Sequence, residues 1–184
     1  MKKLILLVAT LLMTLTGNGQ KRMIQPGQKL IITKDSITAG DYLTIANTKY
    51  KLRDYYGAIA DYAKVIELDS KNVDAYYYSG LAKVNLHNYV GAIVDYTKVI
   101  EINPKSANTY YNRGNAKHEL HDYTGAIADF TKAIEINPKL RNAYYNRGIS
   151  KMSIGHKNSG CQDFRRAGEM GDAEAYELIK KFCQ

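Results

Sequence analysis

Two charged residue types recur in this sequence at a spacing that would let them act together. Lys49, Lys83, Lys117 and Lys151 advance in steps of 34, and Asp61, Asp95, Asp129 and Asp163 follow each of them 12 residues later. Such a ladder could form a charged stripe for a ligand. Equal numbers of opposite charges recurring in step more simply make ion pairs between paired helices, joined by Arg113 and Arg147, each exposed pair being worth about 0–1 kcal/mol. His118 and His121 stand three apart at a predicted helix end, a spacing that can hold a metal. No third ligand stands at a suitable distance, and a zinc site needs at least three from the protein. His87 recurs at the phase of His121, which marks that histidine as a turn residue of a repeat. No phosphate-binding loop, nucleophile elbow, H-E-x-x-H motif or dinucleotide fingerprint is present. The expectation is no enzyme, no catalytic residue, no metal site and no cofactor.

The elements that must position these residues repeat with the same period. Val73–Ser106 and Ala107–Leu140 align without a gap with 20 identities in 34 positions. The phase extends to four units, 39–72, 73–106, 107–140 and 141–174. Each unit reads as two amphipathic helices: the first runs through Tyr110, Tyr111, Gly114, Lys117 and Leu120, with apolar or small residues recurring three, four and seven apart. Asp54, Asn88 and Asp122 stand where they can cap each unit's second helix. Pro104 and Pro138 stand where those helices stop, because proline cannot continue a helix interior.

These units resemble tetratricopeptide repeats. An aromatic residue holds position 4 (Tyr42, Tyr76, Tyr110, Tyr144), and a small residue holds position 8 (Ala46, Gly80, Gly114, Gly148). Position 20 is again small (Ala58, Ala92, Ala126, Gly160), and position 24 is aromatic (Tyr62, Tyr96, Phe130, Phe164). The small residues let two helices approach while the aromatics fill the space between them. The resemblance covers about three quarters of the chain and weakens at its ends, where Ser70 and Asp172 replace proline and Lys157 replaces the position-17 tyrosine. It implies an all-α fold, a right-handed α-solenoid of helix-turn-helix repeats with a C-terminal capping helix. The ending also resembles Sel1-like repeats through A-x-x-x-G-D-x-x-A, with a capping helix expected within 173–184.

The resemblance also implies a binding face. In this family the first helices line a concave groove, and position 5 here supplies Leu43, Tyr77, Tyr111 and Tyr145 while position 9 supplies Asn47, Leu81, Asn115 and Ile149. Position 12 adds Tyr50, Val84, His118 and Met152. Tyrosine offers apolar area with a polar tip, and asparagine offers both a donor and an acceptor to a peptide backbone. The alternative is that these are ordinary solvated helix residues. Some relatives clamp a C-terminal carboxylate with Lys, Arg and Asn, but positions 5 and 9 hold no Lys or Arg here. No clamp is expected.

The N-terminus reads as an address. Lys2 and Lys3 precede the apolar run Leu4–Leu15, and Gly17 and Gly19 suit signal peptidase, so residues 1–19 are expected to be a signal peptide. The run is shorter than the roughly 20 residues a membrane-crossing helix needs, so no span is expected in the mature chain. Residues 20–38 match no repeat and read as a basic N-terminal arm. Export to the periplasm or outside the cell would let Cys161 and Cys183 persist as a disulfide joining the last repeat to its cap. The alternative is two packed thiols.

The chain of 184 residues carries a formal charge of +8, which loss of Lys2 and Lys3 would lower to +6. Residues 39–140 hold 12 basic and 12 acidic side chains, so the excess sits at the flanks. A nucleic-acid groove needs a positive stripe along its binding surface, and none is present. The expected function is an exported scaffold, monomeric or weakly oligomeric, that binds a protein or peptide in its groove. The alternative is an assembly factor of an envelope complex, acting through its convex face or basic ends.

Overall fold

The computed structural model describes residues 37–183 and, ahead of them, the two-residue strands β1 (Thr14–Leu15) and β2 (Lys21–Arg22), paired antiparallel. Apart from these, the expected signal peptide and most of the basic arm lie outside the described residues. Nine helices follow among the described residues: α1 (Ala39–Lys51), α2 (Tyr55–Leu68), α3 (Val73–Asn85), α4 (Tyr89–Ile102), α5 (Ala107–Glu119), α6 (Tyr123–Ile136), α7 (Arg141–Ser153), α8 (Lys157–Glu169) and α9 (Ala173–Phe182). Each packs on the helix before and the helix after it, which makes the array an α-solenoid.

Local chemistry sets the helix ends. Thr38 and Asp41 form a capping box at α1, and the bond from Thr38 holds the Asp41 carboxyl below its usual range. Asp54, Asn88 and Asp122 accept from the backbone N–H of Gly57, Gly91 and Gly125 at 2.9–3.0 Å, as the sequence predicts. The turns before these caps place Arg53, His87 and His121 at φ of 63°, 56° and 60°. His121 is thus a turn residue, and its Nδ1 lies 2.8 Å from the Tyr123 hydroxyl. The stops of α2, α4 and α6 have a common origin that proline does not explain. Asp69, Asn103 and Asn137 each accept from the backbone N–H two residues on, at 3.1–3.2 Å, so the first repeat ends in phase although it lacks the proline.

The core alternates small and aromatic residues. The rings of Tyr62, Tyr96, Phe130 and Phe164 are fully buried. A Cβ on Gly114 would lie 2.8 Å from the Phe130 ring and one on Gly148 would lie 2.6 Å from the Phe164 ring, which is why these positions are glycine. The solenoid ends on α9, which buries Ala175 against Phe164 and Ala167. Gly171 turns the chain at φ 87°, and Asp172, standing where proline would, caps α9 by accepting from Ala175 N–H at 3.2 Å. Cys161 on α8 and Cys183 after α9 are joined as a disulfide, their Cα atoms 5.6 Å apart.

One buried hydroxyl is out of step. The Tyr62 hydroxyl donates to Asn47 Oδ1 at 2.7 Å, but position 9 of the next repeat is Leu81, and the buried Tyr96 hydroxyl has no partner among the described residues. Leaving a buried polar group unpaired costs about 1–3 kcal/mol, whereas removing it costs little. Tyr96→Phe is therefore expected to raise stability by about 1 kcal/mol in urea unfolding, and Tyr62→Phe to lower it by a similar amount. A loss from Tyr96→Phe would show that the hydroxyl is satisfied.

Candidate functional site

The recurring charges resolve into ion pairs that face the interior. Lys49, Lys83, Lys117 and Lys151 contact Asp61, Asp95, Asp129 and Asp163 at 2.6–2.8 Å. Arg113 forks onto both oxygens of Asp129 at 2.7 and 2.9 Å and reaches Thr97 Oγ1 in the preceding repeat at 3.0 Å. Arg147 does the same with Asp163 and Thr131. Each guanidinium also lies over the position-4 tyrosine of its own repeat, 5.6 Å from the ring centre. These charges bind one another within each repeat, and the two arginines also tie the third and fourth repeats to the ones before them.

The position-5 tyrosines line the first-helix face because their rings lean on the core. Tyr77, Tyr111 and Tyr145 pack on Tyr96, Phe130 and Phe164 with ring centres 5.9–6.1 Å apart. Their hydroxyls then meet the next repeat: Asn112 Nδ2 donates to Tyr77 at 3.0 Å, and Asn146 Nδ2 donates to Tyr111 at 3.2 Å. The sequence reading missed these links. Their signal was an asparagine at position 6 in the repeat after each tyrosine. Tyr145 has no following repeat, and burial together with the Glu174 carboxylate of α9 pushes its phenol up.

Two cavities open on this face. One of about 550 Å³ includes Asn115, His118, Glu119, Tyr145 and Ile149, with Tyr89 on its wall. The second, about 450 Å³, includes Tyr111, Tyr145, Arg141 and Glu174. Tyr145 and Asn146 border both, so the cavities are neighbours on this face. Of the eight groove residues expected from sequence, Tyr111, Asn115, Tyr145 and Ile149 come together here. Leu43, Asn47, Tyr77 and Leu81 border neither cavity: Leu43 packs against the first repeat's core, and Asn47 is engaged by Tyr62.

Hydrogen bonds orient the polar tips in the larger cavity. Ser150 Oγ donates to Asn146 O at 2.8 Å, so it accepts from His118 Nδ1, also at 2.8 Å. This puts the His118 proton on Nδ1 and leaves Nε2 an acceptor, and burial lowers the imidazole's pKa. His118 and His121 therefore serve different partners. Among the described residues no three His, Cys, Asp or Glu side chains are grouped as metal ligands.

A stack of helix pairs, tied by buried charges and presenting a first-helix groove, defines a helical-repeat scaffold for protein–protein interaction. Models of the tetratricopeptide repeat match residues 42–72 and 107–140, and a further TPR repeat model matches 80–121. The chain is a tetratricopeptide-repeat protein. Among solved structures it is similar to MamA, at 26% identity and a TM-score of 0.75 over 77% of this chain and 78% of that one. It is also similar to the TPR domain of Arabidopsis OM64, at 27% identity and a TM-score of 0.59 over 62% of this chain and 94% of that one. MamA from Desulfovibrio magneticus RS-1, at 19% identity and a TM-score of 0.70 over 74% and 77% of the two chains, shares the fold. No curated protein matches the chain.

Proposed function

We propose that this protein is an exported scaffold that binds an extended peptide or partner segment in its first-helix groove. The observation that carries this reading is the pair of neighbouring cavities that share Tyr145 and Asn146, where aromatic area and oriented amides occur together. Tyrosine and asparagine suit a peptide because one supplies stiff contact area and the other matches a main chain. The signal-like N-terminus and the Cys161–Cys183 pair support export to the periplasm or beyond the cell. Ala167, Gly171, Asp172 and Ala175 serve as packing, turn and cap residues, which supports a Sel1-like ending.

A second reading rests on the convex side. Tyr56, Val90 and Val94 lie on the second helices α2 and α4 with exposures of 77%, 63% and 57%, apolar side chains that a partner on that side could cover. A photocrosslinking residue placed at Ile149 in the groove, and separately at Val94, tests the two faces in the native envelope. The groove reading expects partner adducts from position 149. Adducts from position 94 alone would replace it with the assembly reading.

A further inference from the structure

The charge of the groove is set by what the ion-pair ladder leaves over. All four position-11 lysines, with Arg113 and Arg147, are bound to the position-23 aspartates. Arg141, beside the smaller cavity, is 3.5 Å from Asp172. Glu119 in the larger cavity and Glu174 in the smaller form no ion pair among the described residues. Glu119 is the last residue of α5, where the helix dipole disfavours a negative charge. The same position holds Lys51, Asn85 and Ser153 in the other repeats, so neither helix stability nor the repeat pattern accounts for an acid here.

The polar tips around Glu119 are oriented as well. Asn146 Nδ2 uses both its hydrogens, one on Asn115 Oδ1 at 2.8 Å and one on the Tyr111 hydroxyl. That leaves Asn115 Nδ2 as a donor and Asn146 Oδ1 as an acceptor, the complement of one peptide unit. The rings of Tyr89 and Tyr145 border the same cavity, and a phenol face attracts a cation.

Resting on the groove reading, we infer that the larger cavity takes an extended peptide segment carrying a Lys or Arg side chain, its cation at Glu119 beside Tyr89 and Tyr145 and its main chain on Asn115 and Asn146. The protein is itself basic, so attraction must be local. Screening confines charge effects to about 8 Å at physiological salt, which leaves Glu119 in command of its cavity.

Selection from a displayed library of random nonamer peptides against the full protein tests this. Enrichment of Lys or Arg at one register is expected. The selected peptide, made synthetically, should bind about tenfold more weakly when that residue becomes norleucine, and about tenfold more weakly to Glu119→Gln, with no further loss when both changes are combined. Glu119 is exposed, and its neighbour is the Tyr89 phenol rather than a cation, so its variant, which can still accept from that phenol, should keep the wild-type unfolding midpoint. Selected peptides that are uncharged or acidic, or that bind Glu119→Gln with unchanged affinity, would overturn the inference. An Ile149→Glu variant separates the two levels. Peptides it blocks but Glu119→Gln does not leave the groove reading intact and remove only the basic preference. Peptides indifferent to Ile149→Glu, or no enrichment at all, remove both.

Discussion

Asp129→Ala is expected to lower stability by about 3–5 kcal/mol, the cost of leaving buried charge uncompensated. The Asp129 side chain is 6% exposed and neutralises Arg113 and Lys117 together, and both are themselves mostly enclosed. Its loss strands two cations and frees Arg113 from the fork that aims it at Thr97, so the contact between the second and third repeats loosens too. The first repeat supplies the control. There Ile45 replaces the arginine, Asp61 is 15% exposed and its one partner, Lys49, is 37% exposed. Asp61→Ala should cost about 1 kcal/mol or less. Urea unfolding of the two variants measures the contrast. Equal losses would mean that the pairs hold each repeat alone and that the arginine fork adds nothing between repeats.

Reduction of the Cys161–Cys183 bond is expected to cost about 3 kcal/mol, from the chain entropy released by opening a closed loop. The two residues are 22 apart in sequence, and the loop encloses the turn that brings α9 back onto α8. Helix α9 is short, and its hold on the array otherwise comes from Ala175, Leu178 and Ile179 against Phe164 and Ala167. A helix of ten residues is marginal on its own, so the loss should be local. Hydrogen exchange is expected to show α9 amides losing protection first on adding reductant, while α3–α6 keep theirs. The same result is expected of Cys161→Ala/Cys183→Ala. A change in unfolding free energy below about 1 kcal/mol, with α9 still protected, would show that apolar packing alone holds the cap. Because α9 contributes Glu174 to the smaller cavity, its release also removes one end of the groove.

Much of the fold was legible because one unit is written four times. Tyr42 and its successors, the glycines opposite the aromatics and the caps at Asp54, Asn88 and Asp122 each repeat, so a misleading residue in one unit is outvoted by the others. The Lys–Asp pairing was readable for the same reason: matched recurrence of opposite charges implies matched contact. His87 likewise exposed His121 as a turn residue. The helix stops were less clear. Proline at 104 and 138 drew attention from Asp69, Asn103 and Asn137, whose side-chain bonds to the backbone two residues on do the stopping in all three units.

The groove was legible as a face and not as a site. Periodicity assigns Asn47 and Asn115 the same position, yet Asn47 is taken up by the Tyr62 hydroxyl, while Phe130 has no hydroxyl to offer Asn115, which turns to Asn146 instead. That difference depends on a residue 15 positions away in one case and 31 in the other, and on how consecutive repeats rotate past each other. The amino-acid sequence by itself determined the helix pairs, their period, their small-against-aromatic core and the partners within each repeat, because those interactions are local and recur. Only the tertiary structure decided which tyrosines and asparagines border a cavity and that Arg113 and Arg147 reach Thr97 and Thr131 of the preceding repeats. It also left Glu119 without a cationic partner among the described residues. These outcomes arise between repeats, where packing distance and competition for hydrogen-bond partners select among side chains that the sequence presents as equivalent.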